Sequence, residues 1–159
     1  MNKLLKLKSL YLLITAISIF TLLSAVYIEY ILGVKPCILC LYQRVPYIIS
    51  IFFCFYGYYN LKNKLWIYLL VITFLLSAIL SGYHVGIENN IFKEFSGCTS
   101  NNTDIIDKDE LLKSLKETQP NCKDVTFKLL GFSLATINIF LSIIIVILII
   151  KTIKNEKNR

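Results

Sequence analysis

Residues 35–44 read KPCILCLYQR: two thiols separated by two residues, with an arginine four positions after the second. A C-x-x-C pair fits three chemistries: a redox dithiol, half of a zinc site, or a structural disulfide. A zinc site needs four ligands. Cys98 and Cys122 could complete the set, but they lack the paired short spacing of structural sites, so no metal is expected. A structural staple suits Cys98–Cys122, where closing the 25-residue loop is worth about 3.5 kcal/mol in the chain-entropy model. The same reading is weak for Cys37–Cys40, which closes almost no loop. A vicinal pair of that kind is better suited to exchanging electrons than to holding structure. Cys54, the fifth cysteine, has no partner at its depth and reads as a small core hydrophobe.

The elements that must position these thiols are membrane helices. The chain has 159 residues and is 56% apolar, with a mean hydropathy of +0.65. Four stretches are long enough to cross a hydrocarbon core of about 30 Å, at about 10–32, 40–59, 65–83 and 129–150. Lipid satisfies no backbone hydrogen bonds, so these runs must be helical. The expected fold is an all-α, single-domain, four-helix membrane bundle over residues 1–159. It carries one long outer loop at about 84–128. Gly33 can stop the first helix, and Pro46 should kink the second or mark its true first turn. In the loop, Asp107 and Glu110 have capping-box spacing, and Leu111, Leu112 and Leu115 share a face. A short amphipathic helix at about 107–117 is therefore expected. The first run is longer than a signal-peptide core and lacks an A-x-A-like site, so it reads as a retained anchor.

The net charge of +7 does not imply nucleic acid, because the excess sits at helix ends. Lys3, Lys6, Lys8, Lys62, Lys64, Lys151, Lys154, Lys157 and Arg159 fall on one side, as expected if both termini are cytoplasmic. The bare count is nearly balanced, nine Lys/Arg inside and eight outside. Cysteine placement agrees with the first reading: Cys37, Cys40, Cys98 and Cys122 all fall on the outer face, as an oxidising compartment requires.

Two pairs on one face, one at the membrane lip and one in a loop, suggest a relay by thiol–disulfide exchange. The loop pair can reach a soluble partner, and the lip pair a bilayer-dissolved electron acceptor, most naturally a quinone. Arg44 lies four residues after Cys40, hence on the same helical face one turn along, and could donate to a quinone oxygen and favour the Cys40 thiolate.

The KPCILCLYQR segment, the four spans and the outer loop with two further cysteines resemble the disulfide bond formation protein B (DsbB) family. The resemblance extends over nearly the whole chain. It implies a bacterial inner-membrane thiol:quinone oxidoreductase with both cysteine pairs on the periplasmic side. Such an enzyme reoxidises a periplasmic thioredoxin-fold dithiol oxidase (DsbA-type) and passes electrons to ubiquinone or menaquinone. Carried over by position, Cys37–Cys40 and Cys98–Cys122 would be the redox disulfides. Cys40 would face the quinone, Cys98 would form the mixed disulfide with the soluble oxidase, and Cys122 would exchange with Cys37. Arg44 would sit beside the quinone. GYHVGIE also resembles the family, and His84, the only histidine, is expected at the quinone's depth. Two other readings remain open here: a quinone or vitamin K epoxide reductase-like enzyme running the relay in the opposite direction, and a non-enzymatic tetraspan scaffold with inert disulfides. The dithiol opens the second helix rather than lying near the last helices, which favours the DsbB reading. A haem anchor would need paired axial ligands, and one histidine does not supply them.

Overall fold

The computed structural model describes residues 3–93, 121–123, 127–129 and 131–157. Its helices are α1 (Lys3–Tyr30), α2 (Ile38–Tyr42), α3 (Val45–Tyr59), α4 (Leu65–Glu88) and α5 (Leu134–Lys157). A two-residue antiparallel ladder, β1 (Lys128–Leu129) against β2 (Phe132–Ser133), leads into α5. The expected helix at 107–117 lies outside the described residues.

Four segments are long and apolar enough to cross a membrane: Leu5–Tyr30, Ile38–Tyr59, Leu65–Glu88 and Leu134–Asn155. The 24 residues of α4 extend about 36 Å at 1.5 Å per residue. This is a multi-pass membrane protein. Large apolar side chains such as Phe20, Phe55 and Ile79 point out of the bundle, as they must where the surroundings are lipid tails. The interior is built from α1 packed on α3 and α4 packed on α5, with α3 and α4 joining the two pairs. Leu10, Tyr11, Ile14, Tyr47, Leu70, Phe74, Ile145 and Ile149 form its apolar centre. Small polar residues tie the helices together: Ser18 Oγ lies 2.8 Å from Ser50 Oγ between α1 and α3, and Ser142 Oγ donates to Ser77 Oγ at 3.1 Å between α5 and α4. Lipid offers no hydrophobic drive between helices, so such contacts and close packing hold a bundle together.

Three helix boundaries differ from expectation, and each difference shapes the site. The second span is broken in two. The amide of Arg44 reaches back to the carbonyl of Leu41 at 3.1 Å, a tight turn, and Arg44 becomes the N-cap of α3. Pro46 falls in the first turn of α3, where its missing N–H leaves no bond unmade. Arg44 therefore opens a new helix instead of continuing the face that carries Cys40.

The third span runs on to Glu88, so His84 lies inside α4 rather than at the start of the loop. Its stop is a Schellman motif. Asn90 takes φ of 60°, its amide donates to Ile87 O at 3.0 Å, and the amide of Ile91 donates to Gly86 O at 2.8 Å. Asparagine tolerates the left-handed conformation that this cap needs. Phe92 then folds back over Gly86, so closely that a β-carbon there would clash with its ring. The last span starts at Leu134 rather than 129, because the residues before it form the hairpin. Gly33, at φ of 68°, turns the chain after α1, and α1 ends three residues before it.

Candidate active site

The ends of α1, α2 and α4 and the start of α5 meet at one end of the bundle, and the reactive residues gather there. Cys37 is the N-cap of α2: its Sγ accepts the backbone N–H of Cys40 at 3.3 Å. The two sulfurs lie 2.9 Å apart. Both are free in this structure, the reduced state of the pair. Across from them, His84 Nε2 lies 3.6 Å from Cys37 Sγ and 3.8 Å from Glu88 Oε1. Either thiol could donate in the sulfur–sulfur contact. Cys37 Sγ already accepts the backbone N–H of Cys40, so Cys40 is assigned as the donor and Cys37 as the acceptor. The Cys40 hydrogen bond pulls the Cys37 thiol down to about 4; His84 and the Cys40 amide add to this, and burial opposes it. These contacts favour the Cys37 thiolate, although the residue is only 6% exposed.

Cys122 enters the same cluster from the loop. It is 2% exposed and disulfide-bonded. It packs with Cys37, Leu39 and Ile87, with Cys40, Leu80 and Tyr83 at the edge. Its backbone also bears on the His84 ring. Three of the four cysteines singled out in the sequence are therefore brought together. Cys98 lies outside the described residues. Cys54 sits apart, buried in the apolar core of the bundle.

Arg44 is placed differently from expectation. Its Nη1 donates to Glu29 Oε2 of α1 at 2.6 Å, an ion pair about one quarter exposed. Among the described residues, the charged groups that bear on the two thiols are each other, His84 and Glu88, and not Arg44. The break at residues 43 and 44 explains this, since it turns the guanidinium away from the Cys40 face toward α1.

Behind His84 lies a polar chain that the sequence reading did not assemble. Gln43 Nε2 is 3.0 Å from His84 Nδ1. Asn138 of α5 donates from Nδ2 to Gln43 Oε1 at 3.3 Å and to Ser81 Oγ at 2.7 Å. Tyr47 donates its hydroxyl to Asn138 Oδ1. A signal for this chain exists. Ser77, Ser81, His84 and Glu88 recur at four-, three- and four-residue spacing, which is one face of an otherwise apolar helix. Asn138 and Ser142 repeat the pattern on α5.

A family model for disulfide bond formation protein DsbB matches residues 7–152. The chain belongs to the DsbB family. Among curated proteins, it is 34% identical over 146 residues to an uncharacterized protein of Rickettsia prowazekii (strain Madrid E), a match spanning 88% of this chain and 84% of the relative. It is 24% identical over 124 residues to a disulfide bond formation protein B of Xylella fastidiosa (strain Temecula1 / ATCC 700964), covering 73% of this chain and 72% of that one. DsbB membership gives the chain a thiol oxidoreductase role in disulfide bond formation, and the clustered cysteines are the groups suited to it.

Proposed function

We propose that this DsbB-family protein reoxidises a periplasmic thioredoxin-fold dithiol oxidase (DsbA-type) and delivers the electrons to membrane quinone. The observation that carries the reading is the packing of disulfide-bonded Cys122 against the Cys37–Cys40 thiols at the end of a membrane bundle. In this reading both termini are cytoplasmic and both cysteine pairs face the periplasm of a bacterial inner membrane. A thiolate of the soluble partner attacks Cys98 of a Cys98–Cys122 disulfide, giving a mixed disulfide and releasing Cys122. The partner's second thiolate then displaces Cys98, so the partner leaves oxidised and the loop pair is reduced by two electrons. Cys122 attacks Cys37 of the oxidised lip pair and expels Cys40. Attack by Cys98 on Cys122 restores the loop disulfide and leaves the lip pair as dithiol.

Quinone, ubiquinone or menaquinone, supplies a sink for two electrons and two protons when bound. The chain's residues fit such a group. Cys40 is only partly buried, next to the mostly buried Cys37. A guanidinium carries five donors, of which one is used in the bond to Glu29, so Arg44 can offer others at the lip. His84 is assigned to the thiols rather than to the quinone, because its two ring nitrogens already face Gln43, Cys37 and Glu88. Steady-state reduction of a soluble quinone analogue by reduced partner protein tests the proposal. Turnover that requires Cys37, Cys40, Cys98 and Cys122 supports it. Turnover that survives loss of Cys37 or Cys40 refutes it.

A further inference from the structure

The hydrogen bonds behind His84 have a direction, and a backbone carbonyl sets it. Ser81 donates its hydroxyl proton to Ser77 O at 2.8 Å, and a carbonyl can only accept. The Ser81 oxygen must therefore accept from its other partner, which makes the Asn138 atom facing it the Nδ2 donor, at 2.7 Å. That fixes Asn138 Oδ1 on the side of Tyr47, whose hydroxyl donates to it. The second Nδ2 proton points to Gln43, so the Gln43 atom facing Asn138 is the Oε1 acceptor, at 3.3 Å. Gln43 is then turned with Nε2 toward His84 Nδ1, at 3.0 Å. A donor facing Nδ1 requires that nitrogen to be unprotonated. On the opposite side of the ring, Nε2 faces Cys37 Sγ and the carboxylate of Glu88, which accepts, and the Cys122 backbone also hydrogen-bonds the ring.

We propose that Ser81, Asn138 and Gln43 form a positioning relay that holds His84 as its Nε2–H tautomer and aims that N–H at the Cys37 sulfur. A second proton on Nδ1 would set N–H against N–H. Relieving that clash means turning two buried carboxamides and breaking the bond to Ser81. The relay thus lets a neutral imidazole support a thiolate, without adding a positive charge to a membrane-buried site. It bears also on metal binding. The ligand atoms of Cys37, Cys40 and His84 lie within 4.8 Å of one another, a spacing that could hold a soft ion. A ligating Nε2 needs its lone pair free and Nδ1 protonated, which is the tautomer this relay disfavours. Among the described residues, the ionisable groups that bear on Cys37 are Cys40 of α2 and His84 of α4, with Glu88 next to His84, while Cys122 is disulfide-bonded and does not titrate. The relay deepens the redox reading of these thiols, yet its test does not depend on turnover.

His84 is the only histidine, so ring-15N histidine labelling of the full chain, purified without a histidine tag and held reduced in nanodiscs, reads this one side chain. The expected spectrum at neutral pH shows a protonated Nε2 and an unprotonated Nδ1. A protonated Nδ1, alone or together with Nε2, overturns the proposal. In Asn138→Leu, and in the milder double variant Ser81→Ala/Tyr47→Phe, the two tautomers should mix. Iodoacetamide should then alkylate Cys37 about two- to tenfold more slowly at pH 5, which is the loss of one net hydrogen bond. If both variants keep the wild-type ring spectrum and the wild-type alkylation profile, the relay does not position the ring. Failure here with normal quinone reduction would leave the electron relay standing.

Discussion

Cys37 and Cys54 are the same residue, both withdrawn from solvent at 6% and 1% exposure, yet the bundle treats them oppositely. Cys54 packs among Leu10, Tyr11, Ile14 and Leu70 on the inner side of α3. Cys37 lies at the rim, where an amide, a second thiol and an imidazole converge on its sulfur. Burial alone makes a thiol inert. Donors aimed at the sulfur favour its thiolate although it too is buried. Cys54 has one hydroxyl beside it, that of Thr15, whereas Cys37 gathers an amide, a thiol and an imidazole, and the end of the bundle can offer an amide because helix termini leave amides unpaired.

The hardest way to break this contrast is to remove the rim thiols. Cys37→Ser and Cys40→Ser should each abolish quinone reduction by the reduced partner, with folding unchanged, measured by quinone absorbance against folded protein. Retained turnover in either would put the two regions on an equal footing.

The next effect is in reactivity with pH. A depressed thiol is deprotonated above its own value, so Cys37 alkylation in the reduced protein should stay nearly level from pH 8 down to about pH 5. It should then fall through about 4. An ordinary thiol near 8.5 loses its thiolate across neutral pH. Mass spectrometry of the Cys37 peptide follows the profile, and a midpoint near 8 would mean the surrounding donors do not act on this sulfur.

Much of this arrangement was legible in the sequence. The four spans, the turn at Gly33, the helix start at Pro46 and the contrast between a vicinal pair and an isolated Cys54 follow from run length and spacing. Other features were not legible, because they join residues far apart in the chain. Gln43 and Asn138 are separated by 95 residues, and Arg44 meets Glu29 across a loop. The expectation that Arg44 shares a face with Cys40 assumed an unbroken helix, whereas the chain turns at residues 43 and 44. The apolar run of the third span stops at Tyr83, and His84 and Glu88 lie beyond it. In fact they continue α4, since their side chains turn inward to partners and not outward to lipid.

Arg44 tests whether the rim also serves the acceptor. Arg44→Ala should raise the apparent KM for a soluble quinone analogue about ten- to a hundredfold, the worth of one charge-assisted hydrogen bond of about 1.5–3 kcal/mol. Exchange between the loop pair and the partner should be nearly unchanged. Arg44→Lys should recover only part, because a point charge lacks the planar donor fork. Glu29→Gln should shift the same constant by about fivefold at most, as a partly exposed ion pair contributes about 1 kcal/mol or less. An unchanged KM in Arg44→Ala would remove the arginine from the quinone site.

The smallest effect belongs to the inner region. Cys54→Ala should leave turnover intact and cost about 1 kcal/mol or less in stability, the loss of one small buried group. Activity assays and thermal unfolding in detergent check both halves. A well-folded but inactive variant would show that the interior thiol takes part in the relay.

The central claim is that the Cys37–Cys40 pair hands its electrons to a bilayer-dissolved acceptor. It is tested most directly by trapping that pair with an alkylating agent in nanodiscs with and without quinone, after one equivalent of reduced partner protein. The pair should be found oxidised when quinone is present and should accumulate as two alkylated thiols when it is absent. A redox state of Cys37 and Cys40 that does not depend on quinone would contradict it.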